Sequence, residues 1–192
     1  DFDRYHHFGT IIYSKYPIVR KQFVVNNPND YNSTFQFADI LIGIDTIRVF
    51  NVHLQSLKFS KENRKYLDSG EVKTTTVNES RSVIERIRTG AEKRAVQADF
   101  IKDEMIHTPF PKILCGDFND VPVSYAYEII GEQMQNAFAK KGYGLSRTFH
   151  GLAPTLRIDN IFADSNFTIL QYKRVKKDLS DHFPIVADLK LH

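Results

Sequence analysis

The residues best suited to chemistry in this sequence follow a short apolar run near its middle. The run, 113–115, predicts a buried strand. Gly116 then lets the backbone turn, and Asp117 and Asn119 follow two residues apart. If the chain is still extended there, both side chains point to one face. A carboxylate beside a neutral amide can hold a cation or a water and donate to a phosphate oxygen. The alternative is an ordinary Gly-Asp turn capped by Asn119 and closed by Pro122.

Other polar residues stand at the ends of further strand-like segments. They are His53, Asp159, and the adjacent Asp181 and His182. Each is ordinary alone, and His53 taken by itself is better explained as a half-exposed histidine at a strand end. A histidine beside a carboxylate makes an oriented base that can activate water. A second histidine or an amide can neutralise charge on phosphoryl oxygens, and free carboxylates can hold a hard cation such as Mg²⁺. Together these groups supply what hydrolysis of a phosphate ester requires.

The elements that must position these residues are mostly short strands. Between Ile47 and Leu54 the side chains alternate. Phe50 and Val52 are expected to face the core, whereas His53 lies on the other face with Asn51. Apolar patterning bounded by turn residues predicts strands over Gly9–Tyr13, Ile18–Val25, Thr34–Ile44, Ile47–Leu54, Leu156–Ala163, Phe167–Val175 and Ile185–Leu191. Asn26–Ser33 is rich in turn residues and predicts a surface loop, while Gln55–Asn78 stays unassigned.

Helices are fewer. One long helix is predicted over Glu79–Ile106, with Gly90 as a candidate break and prolines ending it. Two weaker helices are predicted over Ser124–Ile130 and Gln133–Lys141. The apolar stripe that should bury the long helix is Val83, Ile87, Ala91, Ala95, Ala98, Ile101 and Met105. Neither a repeat nor a linker is evident, so one domain over residues 1–192 is the simplest account.

Composition bounds the function loosely. The chain has 192 residues, a formal net charge of +3 and a pI near 8.9, which permits a polyanionic substrate without arguing for one. Cys115 is the only cysteine, so an internal disulfide and a cysteine metal cluster are both excluded. We interpret it as a small buried side chain. The sequence has no apolar run of membrane-spanning length and no signal-peptide pattern. Localisation and oligomeric state stay open.

The chain resembles the endonuclease/exonuclease/phosphatase superfamily. This superfamily includes apurinic endonucleases, DNases, deadenylases, neutral sphingomyelinases and inositol polyphosphate phosphatases. The resemblance rests on five segments in the family's order: Gly9–Ile18, Asn51–Leu54, Gly116–Asn119, Arg157–Phe162 and Ser180–His182. It implies an α+β fold, a two-layered β-sandwich flanked by helices (DNase-like). It also implies a metal-dependent hydrolase of phosphodiester or phosphomonoester bonds. A nuclease is favoured, and a lipid or inositol phosphate phosphoesterase is the alternative.

The resemblance also implies catalytic roles for five residues. His182 would act as the base, held in place by Asp159. Asp117 would position the attacking water or handle the leaving group. His53 and Asn119 would bind the scissile phosphate. The substrate is therefore expected to be a phosphate ester, with nucleic acid among the candidates.

The implied cofactor is Mg²⁺ or Mn²⁺, which Asp181 would approach directly or through water. The family's principal metal ligand is a glutamate on a strand ahead of the segment that begins at Gly9, and the sequence shows no counterpart of it. We therefore expect an N-terminally truncated domain, incomplete at its N-terminus, that binds magnesium poorly and is weakly active or inactive. The residues weighed as substitutes are Asp3, His6 and His7.

Two further interpretations belong to other functional classes. One is an inactive phosphate-binding or scaffold domain, although every matched catalytic position holds the active residue type. The other is a zinc site, which no His-x-x-x-His spacing supports. Its ligands would be His6, His7, His53 and His182.

Overall fold

The computed structural model describes residues 9–24, 34–57, 77–150, 156–177 and 179–192. The strands in these ranges are β1 (Ile18–Val24), β2 (Thr34–Ile42), β3 (Asp45–His53), β4 (Lys112–Asp117), β5 (Gln135–Asn136), β6 (Asp159–Ala163), β7 (Phe167–Arg174) and β8 (Ile185–Leu191). The helices are α1 (Val77–Ile106), α2 (Tyr125–Gly131) and α3 (Ala137–Lys141).

Six strands form the larger sheet, in the order β1-β2-β3-β4-β6-β5. β1, β2 and β3 are an antiparallel meander. Gly43, in the turn between β2 and β3, has a φ of 65°, which glycine adopts without steric penalty. β4 runs parallel to β3, and a parallel pair needs a crossover, here the connection that contains α1. β6 runs antiparallel to β4. A polar residue at the start of β6 therefore lies beside the ends of β3 and β4.

Both faces of the larger sheet are covered. On one face, Phe50 and Leu114 from the sheet belong to the same core cluster as Ile101 of α1. On the other face, Ile47 packs in a second cluster with Phe167 of β7. β7 and β8 form a separate two-stranded sheet, which makes the second layer. The structure confirms the predicted α+β class, a two-layered β-sandwich flanked by helices.

Several predicted strand bounds were wrong. Gly9–Tyr13 is not a strand. Side chains of the sheet bind this segment: Gln36 Nε2 donates to Thr10 Oγ1, and Asn51 Nδ2 donates to Ile11 O. The strand predicted from Leu156 begins only at Asp159. Part of the helix predicted over Gln133–Lys141 is strand β5, because Asn136 caps α3 by accepting from Ala139 N at 3.0 Å.

The long helix is continuous, and four residues of the predicted stripe are buried as expected: Val83, Ala98, Ile101 and Met105. Gly90 does not break α1; it is buried, and a Cβ there would lie 2.6 Å from Leu57 Cδ2. Ile87 and Ala91 are exposed, whereas Arg94 is buried. The helix turns Gly90 and Arg94 inward because a glycine admits close packing and the arginine has partners described below.

Two segments considered in the sequence analysis lie wholly or mostly outside the described residues. The predicted loop Asn26–Ser33 lies outside the described ranges, as does most of the unassigned segment Gln55–Asn78. Among the helices of the described ranges, none is both long and apolar enough to cross a membrane.

Candidate active site

Three neighbouring strands bring their polar ends into one row. In the sheet register His53 pairs with Asp117, and Asp117 pairs with Asp159. His53 and Asp117 end the parallel strands β3 and β4, and Asp159 begins the antiparallel strand β6. Because side chains in register on adjacent strands lie about 5 Å apart, these three groups face one another at one edge of the sheet.

Gly116 makes this close arrangement possible. Its φ is 147°, a conformation that side-chain-bearing residues rarely adopt. A Cβ at this position would lie 1.9 Å from the carbonyl oxygen of Val52 on β3. A glycine is therefore required immediately before Asp117.

The segment after β4 turns at once. Asn119 has a φ of 49°, so the chain is not extended here, and the predicted shared face with Asp117 does not arise from strand alternation. Instead the Asp117 carboxylate accepts from Asn119 N at 2.7 Å and from Asn119 Nδ2 at 3.0 Å. Asn119 Nδ2 also donates to Leu54 O at 3.0 Å and lies 3.4 Å from His53 Nε2. The Gly-Asp turn, which was the alternative interpretation of this stretch, is therefore what places the side-chain amide of Asn119 beside His53.

His182 reaches the row from a different part of the chain. A β-bridge between His182 and Phe149 holds its backbone, and the two rings lie 5.0 Å apart. His182 Nδ1 lies 2.9 Å from Asp159 Oδ2. Its other nitrogen, Nε2, lies 4.0 Å from Asp117 Oδ2, and His53 Nε2 lies 3.6 Å from the same oxygen. The structure therefore brings all five predicted catalytic residues together, although their catalytic roles stay predictions.

The site carries closely spaced acidic groups. Burial, together with the charge of Asp159, raises the pKa of the Asp117 carboxyl to about 6, against the lowering effect of the Asn119 amide and both histidines. The hydrogen bond to Asp159 raises the pKa of His182. A base held by a carboxylate in this way accepts a proton more readily than a free imidazole.

These groups also suit a divalent cation. Asp117, Asp159 and His182 each offer a ligand atom, and these atoms lie within 4.8 Å of one another. Burial and, after it, the negative charge of Asp159 raise the pKa of Asp117, and a cation would offset that charge. Carboxylate oxygens are the ligands that Mg²⁺ and Mn²⁺ prefer. The residues present therefore fit such an ion.

Four other residues were considered as metal ligands in the sequence analysis: Asp181, His6, His7 and Asp3. Asp181 is exposed, and its backbone oxygen accepts from His150 N at 2.8 Å, so its role toward a metal stays a prediction. His6 and His7 of the zinc hypothesis lie outside the described residues, as does the candidate substitute Asp3.

A buried ion pair that the sequence analysis missed supports the turn. Arg94 is 2% exposed, its Nε donates to Asp120 Oδ2 at 2.7 Å, and its Nη1 donates to Gln55 O at 3.0 Å. It thereby ties α1 to the residue after Asn119 and to the chain just beyond His53. Periodicity could not have identified this arginine, because charged residues surround it in α1. The position of Asp120 directly after the central motif was the one available signal.

A family model described as the Endonuclease/Exonuclease/phosphatase family matches residues 1–182 of the chain. In contrast, no curated protein matches it by sequence. The family match covers every residue of the site described above.

Solved structures share the fold at low sequence identity. An endonuclease/exonuclease/phosphatase from Bacteroides vulgatus has 19% identity and a TM-score of 0.65, covering 92% of this chain and 67% of that one. For a mannosyl-6-phosphatase from Bacteroides thetaiotaomicron the values are 18%, 0.57, 92% and 67%. For D. rerio TDP2 complexed with single strand DNA product they are 13%, 0.62, 90% and 68%. The chain thus spans about two thirds of the length of these structures, and the likeness extends to the fold alone.

Proposed function

The chain belongs to the endonuclease/exonuclease/phosphatase family, and we propose that it is a divalent-metal-dependent hydrolase of phosphate esters. The observation that carries the proposal is the convergence of His53, Asp117, Asp159 and His182 from separate parts of the chain. Each is an ionisable group in a partly buried setting, which is costly unless the group is used or paired.

In the proposed reaction His182 is the base. Asp159 holds Nδ1, so Nε2 is the nitrogen free to take a proton from water. This nitrogen faces the Asp117 carboxylate, which positions the water or handles the leaving group. Proton transfer to a positioned side chain of this kind contributes about 10²–10⁴-fold to the rate of a reaction.

Two further side chains receive the phosphate. The imidazole of His53 and the amide of Asn119 lie side by side, with Nε2 and Nδ2 3.4 Å apart. Donors from both can contact non-bridging oxygens, where negative charge grows in the transition state. Asn119 Nδ2 already donates to Asp117 Oδ2 and to Leu54 O, so it exchanges one of these acceptors for a phosphate oxygen when substrate binds.

The cation would be held by the carboxylates of Asp117 and Asp159, with Asp181 approaching directly or through water. When bound, the ion supplies charge neutralisation at the phosphoryl group. We propose Mg²⁺ or Mn²⁺, because the available donors are mainly carboxylate oxygens.

For the substrate we propose a nucleic acid first and a lipid or inositol phosphate second. The mildly basic chain, with a net charge of +3, tolerates a polyanion. One similar structure, D. rerio TDP2, is complexed with single strand DNA product, while another is a mannosyl-6-phosphatase. The fold is compatible with either class of substrate.

The test is hydrolysis with enzyme in excess over substrate, which detects weak activity. Bis(p-nitrophenyl) phosphate, single-stranded DNA, nicked DNA, inositol phosphates and sphingomyelin are assayed with Mg²⁺, with Mn²⁺ and with chelator. We expect cleavage that needs the metal and that His182→Ala abolishes. His107→Ala is the matched control, since His107 is an exposed histidine near the end of the first helix. Equal cleavage by His182→Ala would refute the proposal, and absence of cleavage of every substrate would favour an inactive phosphate-binding domain.

A further inference from the structure

Thr148 is a fully buried polar residue that lies in neither a helix nor a strand. Its exposure is 0%, and the short segment around it runs between the start of β6 and the His182 segment. Buried hydroxyl groups in proteins almost always form hydrogen bonds, because an unsatisfied polar group in the interior is costly.

The hydroxyl group of Thr148 binds the backbone that carries Asp159. Thr148 Oγ1 accepts from Ile158 N and from Asp159 N, each at 3.0 Å. Two successive N–H groups thus converge on one oxygen. This shared acceptor fixes the backbone where β6 begins, and hence the direction in which the Asp159 carboxylate leaves the strand.

The main chain of Thr148 binds the segment that carries His182. Its carbonyl oxygen accepts from Phe183 N at 2.7 Å. The next residue, Phe149, forms the β-bridge with His182. Thr148 thus binds the backbone of Asp159 through its side chain, and through its carbonyl oxygen it binds the backbone of Phe183, the residue that follows His182.

We propose that Thr148 is a positioning residue that holds Asp159 within hydrogen-bond distance of His182. The inference rests on the proposed function, in which His182, held by Asp159, is the catalytic base. Thr148 Oγ1 is the essential atom, because the backbone contacts of Thr148 would persist with any side chain. If Thr148 instead served only to fill space, its methyl group and volume would be what counts.

Two substitutions separate these roles. Thr148→Ser keeps the oxygen acceptor and loses the methyl group. Thr148→Cys keeps a side chain of similar size, but sulfur is a weak acceptor. Thr108→Val is the matched control, since Thr108 is also buried and its hydroxyl oxygen has no hydrogen-bond partner among the described residues. A circular dichroism melt of each variant establishes that it is folded at the assay temperature.

We expect Thr148→Ser to retain kcat within about threefold, and Thr148→Cys to lose about 10–100-fold in kcat with little change in KM, as for a misplaced catalytic group. In proton NMR spectra, the low-field signal of the His182 Nδ1–H hydrogen bond, identified by its loss in His182→Ala, should persist in the serine variant and disappear in the cysteine variant. Retention of kcat and of the signal by Thr148→Cys, or equal losses in both variants, would overturn the proposal. The NMR result is independent of turnover, so failure of the proposed activity alone would leave this test intact.

Discussion

Removing the negative charge of Asp117 should stabilise the protein at neutral pH while removing its activity. The folded chain raises the pKa of this carboxyl from 3.8 to about 6, chiefly through burial and the charge of Asp159. A group that is harder to ionise in the folded state opposes folding wherever it must be ionised. We therefore expect Asp117→Asn to increase the free energy of unfolding at pH 8.

The magnitude follows from the two pKa values. Their difference corresponds to about 3 kcal/mol at a pH above both, with 1.36 kcal/mol for each pH unit. The asparagine can still accept from Asn119 N, but its own amide would face Asn119 Nδ2, which removes one hydrogen bond worth about 1 kcal/mol. The expected net gain at pH 8 is about 2 kcal/mol.

The sign of the pH dependence is specific. Between pH 4 and pH 6 the folded parent retains the Asp117 proton and the unfolded chain does not, so parent stability falls as the pH rises. The advantage of Asp117→Asn should thus grow from near zero at pH 4 to its full value above pH 7. His182, whose pKa is also raised, contributes stability that is present below its unfolded pKa and is lost as the pH rises through its folded value.

The assay is urea unfolding at a series of pH values in buffer with chelator, since a bound cation would lower the pKa of Asp117. Asp188→Asn, a change at an exposed aspartate of β8, is the control for loss of one surface charge. A destabilised Asp117→Asn at pH 8, or a gain that does not change between pH 4 and pH 8, would refute the electrostatic reasoning. Added Mg²⁺ should then stabilise the parent and not this variant, because ligands stabilise only the state that binds them.

Two other predictions concern the same strand. Gly116→Ala should lower the free energy of unfolding by about 3 kcal/mol or more, because a Cβ would lie 1.9 Å from Val52 O at a φ of 147°. Thermal unfolding measures this loss. The control is Gly144→Ala, at a glycine with a positive φ and open space around it, which should lose only about 1 kcal/mol. Similar losses in the two variants would contradict the packing argument. Burial raises the pKa of the Cys115 thiol from 9.0 to about 11, so its alkylation by iodoacetamide should keep rising about tenfold per pH unit between pH 9 and pH 10 in the folded chain while levelling off in urea. A plateau near pH 9 in the folded protein would show an unperturbed thiol.

The local sequence was enough to identify most elements and the chemical groups of the site. Strand β8 was predicted at its observed bounds, Ile185–Leu191, because alternation with period two is a property of the segment itself. Phe50 and Val52 were placed correctly on the core face for the same reason. The local pattern failed where tertiary packing determines the residue type. Gly90 resembles a helix breaker in the sequence, but it is a glycine because Leu57 packs closely against it.

Tertiary structure alone decided how the site is assembled. The register that sets His53 beside Asp117, and Asp117 beside Asp159, joins strands far apart in the sequence, and no local pattern encodes such pairing. The pKa of Asp117 near 6 likewise exists only because folding buries the carboxyl beside a second one. The sequence by itself determined which groups are available and placed His53 and Asp117 near strand ends, whereas the structure moved the start of β6 to Asp159. The distances between these groups, and hence their chemistry, depend on long-range contacts that form only when the strands pair and the core packs against the sheet.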